Sequence, residues 1–413
     1  MIEQLKDLTE KNIGFKIKNR GDCHKLSEQI AISIDEEISY NTLRRFFGLD
    51  KKTKPNSRTL NILARFNGFE SFADFSQLFP SKFNWRLKEF SYNLLNNNDS
   101  TELVNFISLI KQIDNDALDV IISILRELIL KNEISTLKKI FDLETLNPKN
   151  FSYSKLLHFG NSVGLLLRKH QIDYLNFSQT KYFTLTIFVT FVDYSSLNKN
   201  YGDFACKINK TTKDRELKLF SGLLLQLKKI LDNEPPTESF DSLISRKTHP
   251  ILLSRHMSIK IVTVPKYKII ELLENYKERF IKNNSIDYIY ELMIISILSK
   301  NFIVMQWISE NFKKEENIPK YYYEWYYNLL TMVKLFLAIH KKNNFYLLEN
   351  QLNLIEKFGS RYSYQAFYLI FTCILKYHLN IEPKLALRTY KRVAEEIGYK
   401  IFSLNFLNDY FES

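Results

Sequence analysis

Residues 23–79 read CHKLSEQIAISIDEEISYNTLRRFFGLDKKTKPNSRTLNILARFNGFESFADFSQLF, and the run from Ser39 to Gly48 at their centre sets the plan. Ser39 has the hydroxyl of an N-cap, which accepts from a free amide of the first turn. Gly48 is a natural helix stop. At about 100° per residue, Leu43, Phe46 and Phe47 fall on one face of the intervening helix, and Asn41, Arg44 and Arg45 on the opposite one. The apolar face can pack on neighbouring helices. The polar face turns two guanidiniums and an amide outward. Arg pairs bidentately with guanine edges and phosphates, and Asn with adenine, so this face suits a DNA major groove. Ser39, Tyr40, Asn41, Thr42, Arg44 and Arg45 are therefore the candidate DNA-binding residues of the helix. The loop that follows adds Lys51, Lys52, Lys54 and Arg58, whose charges can hold phosphates and set the register.

Upstream, Leu26, Ile30 and Ile34 stand at helical spacing. Downstream, Ser57 is the expected cap of a helix whose inward residues are Leu60, Leu63 and Phe66 or Ile62. Phe69, Phe72 and Phe75 then suggest a short final helix. The order is helix, turn, cationic helix, basic loop, helix, short helix. Over roughly residues 15–79 this resembles the helix-turn-helix domains of the phage-repressor (Cro/C1-like) type. That resemblance implies that the cationic helix enters the groove of double-stranded DNA. The chain departs from the pattern in its turn, which is longer than that family's and carries Asp35, Glu36 and Glu37. Those carboxylates would oppose phosphate unless they sit at the positive end of the central helix. They also leave open a module that docks protein.

The remaining composition points to helix. In 413 residues there are only 10 Gly and 9 Pro, while 45% of residues are hydrophobic. So few breakers favour an all-α chain and leave little room for a Gly-rich phosphate loop. The net charge of +12 favours polyanionic partners. It is not confined to one segment, but residues 11–58 carry a modest excess, with eleven Lys and Arg against six Asp and Glu. Three cysteines far apart, Cys23, Cys206 and Cys373, argue against a disulfide framework or zinc site and for a reducing compartment. No run approaches the length of a membrane span, and residues 1–12 lack a signal-peptide core. The expectation is a cytoplasmic protein without membrane contact.

Residues 1–80 thus form the expected DNA-binding domain, and 81–232 a helical repeat block. In that block Gly160 and Gly164 share a helix face and would allow close contact, while TLTIFVTFVDYSS (184–196) fits either a strand or a buried helix and is read as helix. Residues 233–250, with Pro235 and Pro236, read as a linker or long loop. Residues 251–413 resume helical patterns of similar length joined by short turns. They resemble divergent tetratricopeptide-like repeats, with Ala366, Tyr368 and Ala386 in packing positions, which implies a C-terminal α-solenoid of helical hairpins.

No metal, nucleophile or acid–base constellation emerges. His249 and His256, or Cys23 and His24, lack metal-site spacing. The YYYEWYY run (321–327) suits inter-helix packing better than base stacking. The expectation is a non-enzymatic protein without cofactor. A helix-turn-helix joined to helical repeats is similar in arrangement to bacterial peptide-sensing regulators. The expected function is a transcriptional regulator that binds DNA and uses its repeats to dimerise as a homodimer or to sense a peptide or protein partner. A protein-interaction scaffold is the alternative.

Overall fold

The described residues of the N-terminal unit include the helices α1 (Ile2–Ile13), α2 (Arg20–Ile34), α3 (Tyr40–Phe47), α4 (Ser57–Phe66) and α5 (Phe72–Leu78). The computed structural model describes residues 2–51, 55–78, 89, 92–93, 95, 100–110, 113–245, 247–280, 285–312, 320–342, 352 and 362–412. Lys52, Lys54, most of the helices expected near 83–95 and 345–358, and Trp85 lie outside the described residues. Every described element is helical, and no strand occurs among the described residues. The chain divides into two compact units, Met1–Leu103 and Val104–Ser413.

In the first unit, α2 starts in a capping box. Asn19 accepts from the Asp22 amide, and the Asp22 carboxylate accepts in return from the Asn19 amide. This satisfies two of the free amides at the helix start. α3 is capped as its sequence predicts: Ser39 Oγ accepts from Thr42 N at 3.2 Å, and Gly48 ends the helix at φ 81°, a conformation that glycine adopts without steric cost. α4 differs by one position. Its cap is Asn56, which accepts from Thr59 N at 2.8 Å, and Ser57 is the first helical residue. Asn caps as well as Ser, so the earlier residue takes the role. Leu5 of α1, Leu26 and Ile30 of α2, Leu43 and Phe46 of α3, Ile62 and Leu63 of α4, and Phe75 of α5 meet in one core. Burying each of these side chains contributes about 1.5–3 kcal/mol. Phe47, Leu60 and Phe66 are only half-buried against that core. Asn67 and Asn12 tie α4 back to α1, through Thr9 Oγ1 (2.9 Å) and from Asn12 Nδ2 to Phe66 O (3.0 Å).

The division between the units falls within α6 (Ser100–Ser108). The second unit continues with α7 (Asn115–Leu130), α8 (Ile134–Phe141), α9 (Tyr153–Lys169), α10 (Asn200–Thr211) and α11 (Arg215–Leu231). It ends with α12 (Pro250–Thr263), α13 (Ile269–Phe280), α14 (Ser285–Leu298), α15 (Phe302–Asn311), α16 (Lys320–His340), α17 (Gln365–His378), α18 (Pro383–Ile397) and α19 (Leu404–Asn408). The segment read as a helix over 184–196 forms a buried π-helical turn, Thr184–Phe188, and a 3-10 turn, Tyr194–Ser196. Thr186 and Thr190 bond back to carbonyls four residues earlier, a competition that disfavours a long regular helix. Gly160 and Gly164 of α9 face this segment; a Cβ at Gly164 would meet the Phe191 ring at 2.3 Å, so only glycine permits the approach.

Residues 233–250 are tied back to α11. Thr237 N donates to Gln226 Oε1 at 2.8 Å, and the buried Phe240 packs over Gly222. α11 then packs on α12, α12 on α14, α14 on α15 and α16, α16 on α17, and α17 on α18. Parts of the unit that are remote in sequence also meet. Tyr399 OH accepts from Leu197 N (3.1 Å) and donates to Tyr194 O (2.5 Å), and Ile401 N donates to Leu231 O at 2.9 Å. A strictly linear stack would join only neighbours in sequence.

A buried polar cluster lies at the centre of this unit. Arg255 of α12 donates from Nε to Tyr194 OH (3.0 Å) and from Nη2 to Glu291 Oε1 of α14 (3.3 Å). Tyr194 and Tyr364 both donate to Glu291. All four residues are buried. Burial pushes both phenols well above their ordinary range, so they remain donors. Arg255 Nη1 has no hydrogen-bond partner among the described residues.

Candidate nucleic-acid interface

The cap at Ser39 and the buried pair Leu43 and Phe46 fix the rotation of α3, which leaves Asn41, Arg44 and Arg45 on the side away from the core. Ser39 and Arg45 are exposed; Tyr40, Asn41, Thr42 and Arg44 are half-buried. Asn41 and Arg44 touch, with Arg44 Nη1 donating to Asn41 Oδ1 at 3.4 Å. Arg44 also reaches Asp50, just past the helix, at 3.5 Å. Arg45 has no ion-pair or hydrogen-bond partner among the described residues. The two arginines are therefore unequal: Arg44 is held by its own chain, and Arg45 is free to meet something outside.

Ser39 and Thr42 spend their hydroxyls on each other at 2.9 Å and on the cap, so they fix the start of α3. Tyr40 packs on α2. Its ring stacks on His24 at 3.9 Å, and its hydroxyl accepts from Arg20 Nη2 at 2.9 Å. Arg20 also lies over the Tyr40 ring, 4.7 Å from its centre. Arg20 and His24 thereby join the exposed surface beside the first turn of α3, although the sequence reading passed over them. Their spacing of four on α2 was the available signal, since it puts both on one helix face. Lys51 and Arg58 are exposed on either side of the basic loop, and Lys52 and Lys54 lie outside the described residues.

The acidic turn does not act as one block. Asp35 ends α2 in the left-handed region at φ 53°, a conformation that Asp tolerates better than most residues. Glu36 forms a bidentate pair with Arg65 of α4, at 2.5 and 2.8 Å. The Arg65 hydrogen bond holds the Glu36 carboxyl below its ordinary range, and the charge of Arg58 acts in the same direction. One of the three carboxylates, that of Glu36, is thus paired within the unit, and Asp35 and Glu37 are exposed.

No known family model, curated protein or solved structure matches this chain. The reading of α3 rests on its own geometry.

The other sequence candidates have structural occupations. His249 caps α12 by accepting from Ile251 N at 3.3 Å, and His256 is buried against Tyr276. Of the aromatic run, Tyr326 is buried, and the side chains of 321–324 lie outside the described residues. Among the described residues no cluster of His, Cys, Asp and Glu is placed to hold a metal. No described helix is long and apolar enough to cross a membrane.

Proposed function

We propose that the protein is a DNA-binding transcriptional regulator whose α3 enters the major groove of a duplex. The observation that carries this is the outward face of α3, where Arg45 has no partner among the described residues and Asn41 and Arg44 stand side by side. Arg44, Arg45 and Asn41 read base edges; Lys51, Arg58 and Arg20 hold phosphates. The pairing of Glu36 with Arg65 supports the reading, because it neutralises one carboxylate of the acidic turn. The helices of the second unit serve, as divergent tetratricopeptide-like repeats, to dimerise or to sense a peptide or protein partner. Their packing on next and next-but-one neighbours is what supports that part.

The test is selection of bound duplexes from a random oligonucleotide pool by the full-length protein at two salt concentrations. A motif is expected to be enriched, and a palindromic one indicates a homodimer. Affinity should fall with salt at a logarithmic slope of about −2.7 per module, as for three phosphate contacts. Failure to enrich any motif, with helicity intact by circular dichroism, would overturn the proposal in favour of a protein-docking scaffold.

Asp50 supplies a second test. Its carboxylate competes with DNA for Arg44 and adds a negative charge beside the reading face. Asp50→Asn is expected to tighten binding of the selected duplex by up to about fivefold, the order of one partly exposed ion pair. Fluorescence anisotropy measures it. Weaker binding would mean that Asp50 positions Arg44 rather than competes for it.

A further inference from the structure

Residues 233–245 read NEPPTESFDSLIS, with three carboxylates and no Lys or Arg in a chain of net charge +12. They form a strap over α11 and α12. Among the described residues of 233–249, Phe240 alone is buried. Its ring sits in a notch at Gly222 of α11, where a Cβ would meet it at 2.5 Å. Gln226, buried one turn further along α11, accepts from the amides of Thr237 (2.8 Å) and Glu238 (3.4 Å). Asp241 Oδ1 lies 3.3 Å from His256 Nε2 and 2.6 Å from Lys260 Nζ, which stand one turn apart on α12. Burial pushes the His256 imidazole down to about 4, and the Tyr276 hydroxyl meets its Nδ1, so the neutral ring turns Nε2–H towards the carboxylate. Arg215 Nη2 donates to Ser242 O at 3.0 Å, and Lys229 Nζ to Thr237 Oγ1 at 2.6 Å.

These contacts are the ones by which a protein holds an extended peptide. An aromatic ring fills a pocket, a carboxylate meets two cation-forming side chains, and main-chain groups find polar partners on the wall. The charges match in sign: Arg215, Lys229 and Lys260 line the groove, and the strap is wholly acidic. The strap is tethered at both ends, so it faces its groove at an effective concentration on the order of mM. A segment with the same ring and carboxylate can compete with it once it binds more tightly than that.

We propose that the groove of α11 and α12 is a peptide-binding site that the chain's own strap holds closed. Its partner is an acidic peptide segment in which an aromatic residue is followed by Asp, and its binding displaces residues 233–245. This rests on the reading of the second unit as a sensor of a peptide or protein partner, and gives that reading a place and a chemistry.

Fluorescence anisotropy with a labelled peptide PPTESFDSLIS, the sequence of residues 235–245, decides it. The receptor is full-length protein in which Phe240→Ala and Asp241→Ala vacate the groove. Saturable binding is expected below about 1 mM, the order of the strap's own effective concentration. Wild type, whose groove is occupied, should bind at least about tenfold more weakly. The peptide with Ala in place of its Phe and Asp should not bind. Adding Gly222→Ala to the vacated variant fills the notch and should weaken binding about tenfold or more, as overpacking does. Ala favours helix over Gly, so α11 still forms. Should the vacated variant lose helicity by circular dichroism, Asp241→Lys alone carries the test. That side chain is 56% exposed, so the change spares the core, and it should raise peptide binding over wild type about fivefold or more. Absence of saturable binding to a folded variant with a released strap, equal binding by that variant and wild type, or equal binding of the Ala-substituted peptide would overturn the proposal. Such a result would make the strap an ordinary loop and leave partner sensing to another face. No DNA enters the titration, so it would leave duplex selection by α3 standing, and failure of that selection would leave the peptide result standing.

Discussion

Glu291→Ala is expected to destabilise the second unit by about 3–5 kcal/mol, as for breaking a buried ion pair. Glu291 takes the charge of a guanidinium that is 3% exposed, and it accepts from two phenols held inside the unit. Without it, Arg255 keeps a bond to Tyr194 but has no counter-charge, and a second of its nitrogens joins Nη1 without a partner. An uncompensated buried charge is what makes such deletions severe. The attraction itself is not the main quantity, and a double variant separates the two. Arg255→Met with Glu291→Leu replaces the pair by apolar groups and should recover most of the lost stability. Urea unfolding followed by circular dichroism measures both. A midpoint unmoved by Glu291→Ala would mean that water reaches Arg255. A double variant as unstable as the single one would mean that the network, not the charge, holds the helices. The cluster joins the Tyr194–Ser196 turn, α12, α14 and Tyr364 just before α17, so its loss should loosen elements far apart in sequence.

That cluster also marks where sequence reading ends. Ser39, Gly48, Leu43 and Phe46 were legible because caps and 3.6-residue periodicity are local; each depends on residues within a turn or two. Gly160 and Gly164 were legible for the same reason, since their spacing of four puts both on one face. The choice of Asn56 over Ser57 as a cap was not legible, because both residues have the required side chain. The contacts that sort the charges were beyond reach as well. Glu36 with Arg65, Arg20 with Tyr40, and Tyr194 with Tyr364 are separated by 29, 20 and 170 residues. A carboxylate in a turn reads as a threat to phosphate until its partner on another helix is seen. An arginine on α3 reads as free until Asp50 is found against it.

The inequality of the two arginines leads to the largest expected effect on binding. Arg44→Glu with Arg45→Glu should abolish measurable binding to the selected duplex. A bidentate contact to a base is worth about 1–3 kcal/mol, and reversing two charges replaces attraction with repulsion, so a loss of about a thousandfold or more is expected. Both side chains leave the core untouched: Arg45 is exposed, and Arg44 is 29% exposed and paired only at the surface. The double variant should therefore keep wild-type helicity. The single variants carry the finer test. Arg45 has no described partner to give up, so Arg45→Ala loses the full value of its contact. Arg44 must first release Asp50, so Arg44→Ala loses less affinity and shows mainly as relaxed choice at one base position. Anisotropy with the selected duplex gives the first, and repeated selection gives the second. Equal losses from the two single variants would place Arg44 and Arg45 in equivalent phosphate contacts. A double variant that still selects the wild-type motif would remove α3 from the interface altogether, and with it the reason to regard the N-terminal unit as the part that reads DNA.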